Sequence, residues 1–150
     1  MIIYCDTSVL AKKYLEEAGR QRVEELLKQT EYLMTSVLTK LELVSMLERA
    51  KREGRLDSPS YRQATAHMER DIAYGEINFI MIHEDILNLS MRLIRQRKLR
   101  VQDSIQLATA LEASKEADSN YSFVSSDHAL LEAARLEGLR CIDPTVSHEK

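Results

Sequence analysis

The chain has 150 residues, 44% of them apolar and 30% charged, with two cysteines and a formal net charge of -3. That length buries a full core without disulfides or a structural metal, and the acidic balance excludes a nucleic-acid binder that works through overall charge alone. The opening residues lack the basic start and long apolar run of a signal peptide, and no stretch approaches membrane-spanning length, so a cytoplasmic protein without membrane association is expected.

In chain order, Ile2–Cys5 is a short apolar strand that runs straight into Asp6, Thr7 and Ser8, residue types that cap helices. Helices are predicted over 9–17 and 20–29, separated at Gly19. A strand over 32–35 leads into a long helix over 37–53, closed by Gly54. Ser58 and Pro59 supply a cap and a first-turn proline for a helix over 58–74. The run INFIMI, 77–82, is continuously apolar, which predicts a strand away from the exposed edge of a sheet. Helices follow over Glu84–Arg97 and 102–116. A short strand begins at Phe123 and Val124, a helix spans 127–137 up to Gly138, and a last strand covers 140–142. Strands alternating with helices predict one α/β domain over 1–150, its mainly parallel sheet covered on both faces. Cys5 and Cys141 lie in apolar segments without CxxC spacing and read as structural thiols. Met34, Met46, Met68, Met81 and Met91 read as core or interface filling.

Parallel sheets bind ligands beyond the carboxyl ends of their strands. Asp6 follows the first strand and Asp127 follows the strand in YSFVSSD, so both are expected at one sheet edge. Glu42 lies between Leu41 and Leu43 and shares a helical strip with Ser45 and Arg49. Asp103 opens an apolar helix in VQDSIQLATAL, where the helix dipole favours its ionised form. Taken singly, capping explains Asp6, Asp103 and Asp127, and a surface position explains Glu42. Together, four converging carboxylates raise one another's pKa values unless a cation sits among them. An oxygen-only donor set suits Mg²⁺ or Mn²⁺, which binds substrate phosphate, polarises a phosphoryl oxygen and activates water. Basic residues flank these acids: RQRKLR, 95–100, precedes Asp103, and Arg49, Lys51, Arg52 and Arg55 cluster mid-chain. Arg49, Arg97, Lys98 and Arg100 are the candidate contacts for a polyanion.

MIIYCDTSVLAKKYLEE, the Glu42 helix, VQDSIQLATALEA and FVSSDHALLEAARLEGL resemble, in that order, the PIN domain, and especially the VapC ribonuclease toxins. The resemblance runs from Met1 to about Pro144. It implies a three-layer α/β/α sandwich with metal ligands at Asp6, Glu42, Asp103 and Asp127, supported by Ser8 and Ser125. It also implies Mg²⁺- or Mn²⁺-dependent endonucleolytic cleavage of RNA to 5′-phosphate ends, a VapB-type antitoxin and a homodimer. RNA is then the polyanion that Arg49, Arg97, Lys98 and Arg100 would meet. Gln106 departs from the pattern, since many relatives carry histidine there. The exchange leaves the metal set intact and bears on substrate contacts.

The rival interpretation is a PIN-like module that binds RNA or protein without cutting. Retention of all four acids argues against it, because carboxylates weaken RNA binding in the absence of metal. His67, His83, His128 and His148 show no pairing with a nucleophile, and neither GxxxxGK[ST] nor GxGxxG occurs. For an antitoxin, an inserted Arg or Lys suits the carboxylate cluster. Apolar grooves between the first helices and the 58–74 helix suit the rest of an amphipathic segment.

Overall fold

The computed structural model describes residues 1–146, so His148 falls outside the described residues. Five parallel strands form the sheet: β1 (Ile2–Cys5), β2 (Tyr32–Ser36), β3 (Asn78–Ile80), β4 (Tyr121–Val124) and β5 (Cys141–Ile142), in the spatial order β3-β2-β1-β4-β5. The seven helices among the described residues are α1 (Thr7–Tyr14), α2 (Arg20–Lys28), α3 (Leu38–Arg52), α4 (Ser58–Ala73), α5 (Glu84–Arg97), α6 (Val101–Ser114) and α7 (His128–Leu136).

The alternation of side chains along β1 explains why there are three layers. Ile3 and Cys5 point into one apolar cluster with Val9, Val23, Leu47 and Met68, which come from α1 to α4. Tyr4 points the other way, stacking on Phe123 at 5.8 Å between ring centroids within a cluster built by α5, α6 and α7. Both faces of the central strand are therefore buried. The chain leaves β1 towards β2 and β3, then crosses back to β4 on the other side. That reversal opens a crevice between the carboxyl ends of β1 and β4, the place where such sheets bind ligands.

β3 corrects the expectation for 77–82, because it is an edge strand. Ile77 and Phe79 pack on the α1–α4 side and Ile80 and Ile82 on the other, while Met81 is 67% exposed. Continuous apolar character reports that both faces are covered. It carries no information about hydrogen-bonding neighbours, and this strand has one on a single side.

Three smaller corrections have local causes. The cap of α4 is Asp57, whose Oδ1 accepts from the Ser60 amide at 2.8 Å, while Ser58 and Pro59 lie inside the first turn. Phe123 and Val124 end β4 rather than begin it, since Tyr121 and the polar but buried Ser122 already pair with β1. Cys5 is buried as expected, whereas Cys141 is only partly so; both thiols are free.

α1 is pinned to α4 by a buried carboxylate. Asp71 Oδ2 accepts from the Tyr14 hydroxyl at 2.7 Å and pairs with Lys13 Nζ at 2.6 Å. Burial and this acceptor push the Tyr14 hydroxyl pKa up. The groove expected between the first helices and α4 exists, with a volume near 600 Å³. It is not apolar: Arg20, Arg55, Gln63 and His67 line it beside Tyr14 and Leu56.

Candidate acidic active site

β1 ends at Cys5, and Asp6 turns the chain into α1. Its Oδ1 accepts from the Val9 amide at 3.2 Å and from Ser8 Oγ at 2.7 Å. Oδ2 accepts from Ser125 Oγ at 2.8 Å, across the crevice from the end of β4. Asp6 therefore caps a helix and also joins two strands. Asp127 repeats the capping motif on α7, with Oδ1 accepting from the Leu130 amide at 3.0 Å. Ser125 Oγ also accepts from the Asp127 amide at 3.0 Å, so this one hydroxyl ties the loops of the two aspartates together. Ser8 and Ser125 thus each donate to one oxygen of the Asp6 carboxylate.

Asp103 lies in the first turn of α6 and is not its cap, since the flanking Arg100 makes no side-chain capping bond. Its pKa is raised, first by burial and then by the neighbouring Asp127 charge, against the pull of Arg100 at 3.6 Å. The net direction is upward even though the helix dipole favours the ionised form. Desolvation and a like charge outweigh a dipole effect typically worth about 0.3–1 kcal/mol. Asp6, 5% exposed, has its pKa pushed up to about 6. Burial is the main cause, the Ser8, Ser125 and Val9 hydrogen bonds oppose it, and the Asp103 charge adds to it. Asp103 thus stands between the other two aspartates electrostatically, its charge acting on Asp6 and the Asp127 charge acting on it.

Glu42, on α3, joins this group through neutral donors. Thr7 Oγ1, one residue from Asp6, donates to Glu42 Oε1 at 3.0 Å, and Gln106 Nε2 donates to the same oxygen at 3.0 Å. Gln106 is only 2% exposed, so any effect of this exchange on substrate contacts is exerted through its neighbours. Thr7, Thr35, Thr39 and Tyr4 are members of the site's supporting network that sequence reasoning missed. A periodic signal existed for Thr39, which sits three residues before Glu42 on the same helix.

The chemistry of these donors fits a hard divalent cation: carboxylate oxygens only, two with raised pKa values that a nearby positive charge would relieve. Among the described residues, however, no three Asp, Glu, His or Cys side chains are grouped to hold a metal as they stand. The carboxylates share one edge and one field without forming a closed shell.

The four candidate RNA contacts are unequal. Arg97 Nε donates to Glu137 Oε1 at 2.9 Å, and Glu137 also receives both guanidinium nitrogens of Arg92. Arg97 is thereby committed to joining α5 to α7. Lys98 is exposed at the left-handed turn after α5, with φ 56°, and Arg100 is exposed beside Asp103. Arg49 is exposed seven residues along α3 from Glu42, about 10 Å of helix rise. His128 is exposed, with Nδ1 3.9 Å from Asp143 Oδ2.

The family model of the PIN domain matches residues 3–136. The chain belongs to the PIN-domain family. PIN domains are generally nucleases, so the family supports hydrolysis of nucleic acid as the coarse activity. Among solved structures, FitAcB from Neisseria gonorrhoeae is similar at 17% identity and TM-score 0.69, covering 95% of this chain and 98% of the other. A protein from Pyrobaculum aerophilum is similar at 20% identity and TM-score 0.67, covering 96% and 91%. VapBC2 from Rickettsia felis, bound to a DNA fragment from its promoter, is similar at 15% identity and TM-score 0.62, covering 95% and 98%. At such identities these likenesses establish the shared three-layer fold. No curated protein matches the chain. No helix among the described residues is long and apolar enough to cross a membrane.

Proposed function

We propose that this PIN domain, working as one unit over 1–150, is a Mg²⁺- or Mn²⁺-dependent endoribonuclease of VapC type. In this proposal it acts in the cytoplasm as a homodimer and is restrained by a VapB-type antitoxin. The observation that carries the proposal is the coupling of Asp6, Asp103 and Asp127 across the β1–β4 crevice, with Glu42 tethered beside them. These four carboxylates would hold the cation. When bound, it supplies Lewis-acid polarisation of a phosphoryl oxygen and activation of water.

The chain's own residues do the rest. Ser8 and Ser125 fix both oxygens of Asp6, so the carboxylate cannot rotate away from the crevice. Ser125 also locks the turn that delivers Asp127. Lys98 and Arg100, exposed just ahead of Asp103, attract the phosphate backbone towards the acids. The antitoxin partner is supported by the neighbours, which include FitAcB, VapBC2 and a toxin–antitoxin complex from Klebsiella pneumoniae. Purification at native expression levels should recover a small bound protein, and free active protein without growth arrest on overexpression would reject the toxin assignment alone.

The decisive assay incubates purified protein with RNA in Mg²⁺, in Mn²⁺ and in chelator, and maps the product ends. Cleavage to 5′-phosphate ends in either metal and none in chelator is expected. RNA binding without cleavage under all three conditions would establish the non-cutting module instead. In the same system, replacing Lys98 and Arg100 together with Ala should weaken RNA binding across sequences. The slope of log affinity against log salt should flatten by about 1.4, or 0.7 for each lost phosphate contact on a single strand. An unchanged slope would make these two residues a solvated helix junction.

A further inference from the structure

The Gln106 amide occupies the centre of a buried polar network that connects three elements. Its Oε1 accepts from the Tyr4 hydroxyl at 2.6 Å. Its Nε2 lies 3.0 Å from Glu42 Oε1, 3.0 Å from Thr39 Oγ1 and 3.2 Å from Thr7 Oγ1. Thr39 Oγ1 is in turn 2.7 Å from Thr35 Oγ1, which donates to the Cys5 carbonyl beside Asp6. Every member except Glu42 is buried.

Tyr4 and Glu42 together set the orientation of the amide. Tyr4 is fully buried, so its hydroxyl proton needs an acceptor, and an unmade bond there costs about 1–3 kcal/mol. Only the Oε1 end of Gln106 can accept it, because the Nε2 end carries donors alone. The phenol therefore turns the NH₂ group towards Glu42. Thr7 donates to the same carboxylate oxygen, so both bonds fall on Oε1 and Glu42 is held in one rotamer. Oε2 receives no hydrogen bond among the described residues. A glutamate side chain left free loses rotamer entropy when it engages a cation, and this network removes that loss beforehand.

We propose that Gln106, locked by Tyr4, is a positioning residue that presets Glu42 for divalent-metal binding. The inference rests on the metal-nuclease proposal above. It makes Gln106 act on the cation through Glu42, without touching substrate.

The test is calorimetric titration of Mn²⁺ into the full chain and into Gln106→Leu and Tyr4→Phe, with circular dichroism and thermal melts confirming the fold. Gln106→Leu keeps much of the volume and removes both ends of the amide. It should weaken Mn²⁺ binding about 10- to 100-fold, the usual loss for an outer-shell partner. Tyr4→Phe removes only the lock and should weaken binding in the same direction by less. The KM for RNA should stay near that of the unaltered protein in both variants while kcat falls, a split that a merely structural role would not produce. Combining the two substitutions should add little to Gln106→Leu, since the phenol acts through the amide. Should Gln106→Leu fail to fold, Tyr4→Phe decides the question: Mn²⁺ affinity equal to that of the unaltered protein would overturn the inference. Unchanged affinity in two folded variants would overturn this inference and leave the nuclease proposal standing. Absence of Mn²⁺ binding by the unaltered protein would overturn both.

Discussion

Asp6→Asn is expected to abolish metal-dependent cleavage, by about 10³-fold or more, which corresponds to about 4 kcal/mol of lost transition-state stabilisation. The substitution keeps the shape of the side chain and a carbonyl oxygen for the cap at Val9, so α1 still starts in the same place. What disappears is the negative charge at the centre of the site, bounded by Ser8 on one side and Ser125 on the other. One amide NH₂ now faces a serine oxygen, and either hydroxyl can rotate to accept it. The fold is therefore retained, and the loss is one of chemistry. The measurement is single-turnover RNA cleavage in saturating Mn²⁺ alongside a thermal melt. A variant that melts like the unaltered protein and cleaves at its rate would remove Asp6 from the site.

The same residue makes the metal-free protein less stable at neutral pH than in mild acid. Burial holds the Asp6 pKa at about 6 in the folded chain, against about 3.9 when unfolded. The folded state thus binds this proton more tightly. Its contribution to stability is fully present below the unfolded value and is lost as pH rises through about 6. The gap between the folded and unfolded values is worth about 3 kcal/mol. Asp103, also raised, pushes the same way. The difference in urea-unfolding free energy between Asp6→Asn and the unaltered protein, in chelator, isolates this group from other carboxylates. That difference should grow in favour of the variant between about pH 4 and about pH 7. Adding Mn²⁺ at the upper pH should reverse the order, since a cation at about 1,000 times its Kd stabilises a binding fold by about 4.1 kcal/mol and the variant lacks one of the proposed ligands. Parallel pH profiles in chelator would mean that Asp6 is ionised without penalty in the fold.

Much of this molecule is legible along the chain. Ile2–Cys5 and Glu84–Arg97 fall where apolar runs, caps and turn residues place them, because strand and helix periods are written within windows of a few residues. Asp6 and Asp127 can be read as neighbours for a related reason. Both follow strands of a parallel sheet, and such strands end on one side. Glu42 and Asp103 stand out as acids within apolar helices. Side-chain partnership is a different kind of information. INFIMI became an edge strand because pairing partners are chosen by the whole topology, whereas apolar continuity records only covered faces. Asp103 has its pKa raised because folding buries it and, secondly, brings Asp127 towards it from another element. Glu42 and Gln106 lie 64 residues apart, and only the packing of α3 and α6 against β2 brings their polar ends within 3.0 Å. Period and propensity set which elements form. Which buried donor meets which carboxylate is decided when those elements close over a shared core and every polar group taken out of water must find a partner.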